Sequence, residues 1–152
     1  MKHFICSLFI VFFLSCNNDE KNGVKDYRAE NDQEILDYLE ANNLEAKKST
    51  SGLYYIINTV GTGEKPNSSS SVTVAYKGYF TNGSVFDQSD ADGISFGLNQ
   101  VIKGWTEGIQ YFNEGGDGIL FIPSHLGYGS SDYSSIPGGS VLIFDIKLLK
   151  IN

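Results

Sequence analysis

Cysteine is nearly absent from this chain of 152 residues, and its placement closes off several kinds of chemistry. Cys6 and Cys16 are the only two, both near the start, so everything after Cys16 is free of thiols. That excludes a disulfide framework, a cysteine metal site and a cysteine nucleophile from any folded domain. Histidine is as scarce. His3 falls among the first residues and leaves His125 alone, with no nucleophile–base pair and no ligand cluster of recognisable spacing. Proline occurs 3 times and forms no tract, which argues against a fibrous or disordered chain. Positive charge is in deficit, with 11 Lys and Arg against 18 Asp and Glu, a net charge of −7 and no basic run. Nucleic-acid binding, which depends on neutralising phosphates, is therefore not expected. No apolar run approaches the ~20 residues that a membrane-spanning helix needs.

What is present begins with a targeting pattern. Lys2 precedes a nearly continuous apolar run over residues 4–14, the length of a signal-peptide core. The run ends in Leu14-Ser15-Cys16, which resembles the lipobox of bacterial lipoproteins. That resemblance implies cleavage after residue 15 and acylation of Cys16, which becomes the new N-terminus and the lipid anchor. Cys6 leaves with the signal. The expected location is the cell envelope, at the outer membrane, with either face open. Asp19-Glu20 behind the anchor reads equally as a sorting signal or as solvated linker.

Residues 16–30 are polar and charged, and read as a flexible tether. Asn31 followed by Glu34 has the form of a capping box. Ile35, Leu36 and Leu39 form a narrow apolar stripe, so a short helix is expected to about Asn42, within a helix-and-linker segment at 31–50. Its role is open: it could pack on the domain, pair two copies or stand as a solvated spacer. From residue 51 to 152 the pattern is that of one domain. Strands are expected at Leu53-Tyr54-Tyr55-Ile56-Ile57, from Val72 through the Asn82-Gly83 turn toward Phe86, at Ile94-Ser95-Phe96, over 119–122 and over 141–149. In the last of these Leu142, Phe144, Ile146 and Leu148 share a face. One helical segment, 101–112, aligns Trp105, Ile109 and Phe112. The long loop 123–140 is rich in Gly, Ser and Tyr, and loops of that length are usually functional. The outline is α+β, an antiparallel sheet with one short helix across it and another short helix before it.

The unusual feature is a set of apolar and aromatic residues beside loops. Val72-Thr73-Val74-Ala75-Tyr76-Lys77-Gly78, Val85-Phe86-Asp87, Phe96, Val101-Ile102-Lys103-Gly104-Trp105, Ile122-Pro123, Gly127-Tyr128-Gly129, Ile136-Pro137 and Leu142-Ile143-Phe144-Asp145 follow in an order that resembles the FKBP-type peptidyl-prolyl isomerases. The similarity covers about two-thirds of the chain. It implies a twisted antiparallel sheet wrapped around a short helix, with an apolar pocket between them. Trp105 would form the pocket floor, and Tyr76, Phe86, Val101, Ile102 and Phe144 its walls. Ile94 or Phe96 would add a further wall, Tyr128 and Ile136 would come from the long loop, and Asp87 would sit at the rim. The backbone N–H of Ile102 and the phenol of Tyr128 would hold substrate carbonyls.

By the same resemblance the chain isomerises X–Pro bonds of exported proteins, with no cofactor or metal. Its partners are proline-containing segments, together with macrolides of the tacrolimus and rapamycin type. The alternative is a non-catalytic proline-binding or scaffolding lipoprotein of an envelope or motility machine. Three local differences from the family pattern carry expectations of their own. No basic residue follows Asp87 to hold it. Gly138-Gly139 should loosen the loop tip, and Gly116 and Gly118 should weaken the start of the strand at Ile119.

Overall fold

Leu142, Phe144, Ile146 and Leu148 alternate with Ile143, Asp145 and Lys147, and this period of two organises the molecule. In the computed structural model the described residues are 24–152, so the expected signal segment and Cys16 lie outside them. The central strand β7 (Leu142–Ile151) pairs on one side with β6 (Asp117–Ile122) and on the other with β3 (Ser71–Tyr79). Outside β6 lie β2 (Tyr54–Thr59) and the two-residue β1 (Lys47–Lys48), which the sequence did not suggest. Outside β3 lie β4 (Val85–Gln88) and β5 (Ile94–Gly97), which share that edge end to end. All seven strands pair antiparallel, in the order β1-β2-β6-β7-β3-β4 with β5 beside β3. The Asn82-Gly83 turn closes between β3 and β4 as expected, with Gly83 at φ 85° and its N–H donating to Phe80.

Each face of the sheet carries its own core. On one, Val72, Val74, Leu120, Leu142, Phe144, Ile146 and Leu148 pack against α2 (Lys103–Gly108). The expected helix over 101–112 is only helical to Gly108, where it tightens into a 3₁₀ turn, Ile109–Tyr111. Trp105, Ile109 and Phe112 nonetheless reach the same core. Gly104 and Gly108, one turn apart, face β6. A Cβ at either would press into Ile122 or Leu120, at 2.5 and 2.6 Å, so the helix sits almost on the strand.

The opposite face is covered by α1 (Arg28–Ala41), whose Ile35 and Leu39 pack with Tyr54, Phe121, Val141 and Ile143. Of the roles left open for this helix, packing on the domain is the one observed. The helix also starts earlier than expected, taking in residues assigned to the tether. Asn31 therefore does not cap it: its own N–H donates to Tyr27 inside the first turn. Glu34 accepts from the Thr81 hydroxyl (2.6 Å) instead of closing a capping box. Tertiary partners outcompeted the local motif.

Two glycine expectations are also corrected. Gly118 is required by the close packing of the sheet: it lies opposite Ile57, and a side chain there would overlap the Ile56 carbonyl and the Phe112 ring. Gly116 has the carbonyls of Thr59, Val60 and Asn113 around it in the same way. At the tip of the long loop, Gly138 donates to Asp132 (2.8 Å) and Gly139, at φ 80°, packs under the Tyr27 ring. The Gly138-Gly139 pair is tied down: Gly139 is buried, and a side chain at either position would collide with the Ser130 carbonyl or the Tyr27 ring. No described helix is long and apolar enough to cross a membrane.

Truncating Ile35, which is fully buried between α1 and the sheet, tests the second core. Ile35→Ala is expected to cost about 2–5 kcal/mol. Urea denaturation measures it, and a loss near zero would mean that α1 does not dock.

Candidate active site

The seating of α2 puts Trp105 against the face of the sheet, over the paired strands β3 and β7. Its ring lies 5.0 Å from Tyr76 and 5.1 Å from Phe144, both edge-on, and 5.2 Å from Phe96. Edge-to-face packing of this kind favours aromatic rings over stacking face to face. Phe86 meets Phe144 edge-on at 5.5 Å. Gly78, directly across β7 from Phe144, leaves room for both rings, since a Cβ there would fall 2.7–2.8 Å from them. Trp105 and Phe144 are only 5% and 4% exposed and form the least accessible part of the wall. Among the described residues the indole N–H of Trp105 has no hydrogen-bond partner.

These rings line a cavity of about 440 Å³. Every pocket residue expected from the sequence borders it: Tyr76, Phe86, Asp87, Ile94, Phe96, Val101, Ile102, Trp105, Tyr128, Ile136 and Phe144. Ile94 and Phe96 both contribute, where only one was required. Gln100, Tyr133, Ser134 and Ser135 were missed. Gln100 ends the 3₁₀ turn just before Val101. The other three lie in the long loop, which the sequence marks as functional by length but whose residues follow no period. Cys16 lies outside the described residues. His125 lies away from the cavity, where its Nε2 meets the Ser51 carbonyl at 2.9 Å.

Asp87 is the one charged residue on the wall. No basic residue borders the cavity, and the Asp87 carboxylate accepts the Tyr76 phenol at 2.6 Å, so a neutral donor holds it. Burial, then the Asp87 hydrogen bond and its charge, push the Tyr76 phenol well above its ordinary value. Burial, with Tyr133 and Asp87 nearby, raises Tyr128 as well. Both phenols therefore stay protonated and can donate. Tyr128 stacks on Tyr133 at 4.6 Å and 13°. The Ile102 N–H, at the head of α2, makes no hydrogen bond among the described residues, while its carbonyl accepts from Trp105 and Thr106. The arrangement is an aromatic cup with neutral donors at its mouth, suited to holding an apolar ring and orienting carbonyls.

Comparison with known proteins agrees. The family model for FKBP-type peptidyl-prolyl cis-trans isomerase matches residues 62–149. The FKBP-type peptidyl-prolyl cis-trans isomerase FkpA of Aeromonas hydrophila is 46% identical over 126 residues, covering 80% of this chain but 47% of its own length. Among solved structures, FkpA from Escherichia coli superposes with a TM-score of 0.73 at 39% identity, over 82% of this chain and 61% of that one. A peptidyl-prolyl cis-trans isomerase from Pseudomonas syringae superposes at 0.71 with 28% identity, over 86% of this chain and 99% of that one. The chain thus spans about half the length of the FkpA protein of Aeromonas.

The raised Tyr76 value has a defined sign. A group whose folded value lies above its unfolded one, about 10 for tyrosine, adds stability that is complete below that pH and lost as pH rises above it. The stability gap between wild type and Tyr76→Phe should therefore be constant from pH 7 to 9 and narrow by pH 10.5. Urea titrations at each pH read it, and a gap that widens in alkali would contradict the geometry.

Proposed function

The chain belongs to the FKBP-type peptidyl-prolyl cis-trans isomerases, and from that premise we propose that it accelerates X–Pro isomerisation in exported proteins. The observation that carries the reading is the Trp105-centred cup, with Tyr76–Asp87 and Tyr128 at its mouth. The X–Pro amide rotates slowly because rotation breaks its resonance, a barrier of roughly 18–20 kcal/mol. No covalent bond is broken, so no nucleophile is needed. The twisted amide is less charge-separated than the planar one, and an apolar, water-poor cup favours it relative to the ground state.

In this mechanism Trp105 receives the proline ring, with Phe86, Phe96, Val101, Ile102 and Phe144 around it. The free N–H of Ile102 and the phenol of Tyr128 bind substrate carbonyls and hold the chain on one side of the rotating bond. Asp87 takes polar contacts from the substrate backbone, while Tyr76 fixes its orientation. Ile94 and Ile136 enclose the flanking residues. On the same reading, macrolides of the tacrolimus and rapamycin type are expected to bind this cup competitively with substrate. At the N-terminus, Cys16 carries the lipid that attaches the enzyme to the envelope, the outer membrane being the reading the signal pattern favours.

Two measurements test these readings. Isomerisation of a proline peptide should be clearly faster with the purified chain. Asp87→Ala and Tyr128→Phe should each lower kcat/KM by about tenfold, as expected for one polar contact worth ~1–3 kcal/mol. A folded wild type without acceleration would sink the enzyme reading and leave a proline-binding or scaffolding lipoprotein. Separately, wild type should incorporate labelled palmitate and sediment with membranes, and Cys16→Ser should do neither. Unlabelled wild type in the soluble fraction would refute the anchor.

A further inference from the structure

Asparagine is a poor choice for a helix interior, and a buried amide is costly unless it is fully bonded. Yet Asn31, in the first turn of α1, is 1% exposed, and it does not border the cavity. Its Nδ2 donates to the Gly139 carbonyl and its Oδ1 accepts the Ser124 N–H, each at 2.8 Å. Those partners stand at the two ends of the long loop between β6 and β7, and that loop carries Tyr128, Tyr133 and Ile136 into the cavity.

The bonds continue through the loop. The Ser124 carbonyl accepts the Gly129 N–H (2.8 Å), and the Gly129 carbonyl accepts the Gly139 N–H (2.9 Å). Asn31, Ser124, Gly129 and Gly139 therefore form a closed circuit of hydrogen bonds, and Tyr128 is the residue immediately before Gly129. Asn31 and Ser124 are also the buried polar residues among those described. The amide is itself fixed, because Ile35 and Leu39 anchor α1 in the second core and the Asp32 carboxylate accepts the Tyr54 phenol at 2.8 Å.

We propose that Asn31 is a positioning residue of the prolyl-isomerase site, closing a hydrogen-bonded circuit that sets the pose of Tyr128 and Ile136 over Trp105. The helix on the back of the sheet thus supports the pocket on its front. The kinetic consequence rests on the isomerase reading; the circuit itself does not. Without the amide, the Ser124 N–H and Gly139 carbonyl lose their common partner, and the loop ends can separate while both cores stay intact.

The experiment compares full-length wild type, Asn31→Ala and Ile56→Ala, the last trimming a second-core side chain on β2, outside α1, the cavity and the circuit. Hydrogen exchange and peptide isomerisation are measured on each. In Asn31→Ala, exchange at Ser124, Gly129 and Gly139 should quicken at least about tenfold while the β6–β7 ladder is unchanged, and KM should rise about tenfold with little change in kcat. Ile56→Ala should lose stability but keep the wild-type KM. An unaltered KM in Asn31→Ala, or an equal rise in Ile56→Ala, would overturn the positioning role. If wild type shows no turnover, the isomerase reading fails, and exchange alone decides the circuit: selective loosening of the loop supports it, and uniform or absent change refutes it.

Discussion

The close seat of α2 on β6 is the contact on which the rest of the molecule depends. Gly104 and Gly108 bring the helix down onto Ile122 and Leu120, with no side chain between backbone and strand. Trp105, next to the first of these glycines, is then pressed onto the face of the paired strands β3 and β7. There it meets Tyr76, Phe96 and Phe144 at edge or tilted angles. A helix held farther out would leave these rings unpacked and open the cup to water. On the proposed function close packing is a condition of the chemistry as well as of stability, because a cup that admits water would give up its preference for the less polar, twisted amide.

The strong central strands make this seat possible by serving two cores at once. Along β6 and β7, Leu120, Leu142 and Phe144 face α2, while Phe121 and Ile143 face α1. A one-residue slip in register would exchange the two sets and empty both cores. The two helices are therefore coupled through the sheet, although they never share a face. The long loop adds a second connection, since it leaves β6, borders the cavity and returns to β7 beneath α1.

The mouth of the cavity is built from neutral donors around a single carboxylate. Tyr76 holds Asp87 where no basic side chain is at hand, and both mouth phenols stay protonated through the neutral range. On the proposed isomerase reading such a site works by orientation and exclusion of water, with no group that must gain or lose a proton. That matches a reaction in which only a torsion changes. It also explains why the scarcity of histidine and cysteine, which closes most routes to catalysis, leaves this one open.

The sequence by itself determined which residues face inward. A period of two in β7, the Trp105–Ile109–Phe112 spacing and the Asn82-Gly83 turn are local signals, legible because strand, helix and turn geometry repeat over a few residues. The order of the motif fragments led to the residues that border the cavity. Tertiary structure alone decided what those residues, and others with no local signal, are bonded to. Asn31 read as a cap and became a buried link to partners 93 and 108 positions away. Gly118 and Gly138-Gly139 read as weak points and turned out to be close approaches, because a missing side chain looks the same in sequence whether it leaves a void or fits a contact. Tyr133, Ser134 and Ser135 have no periodicity to betray them, and only the fold of the loop turns them toward Trp105. Local pattern encodes direction, in or out; partnership depends on where distant segments meet, which no short stretch of sequence contains.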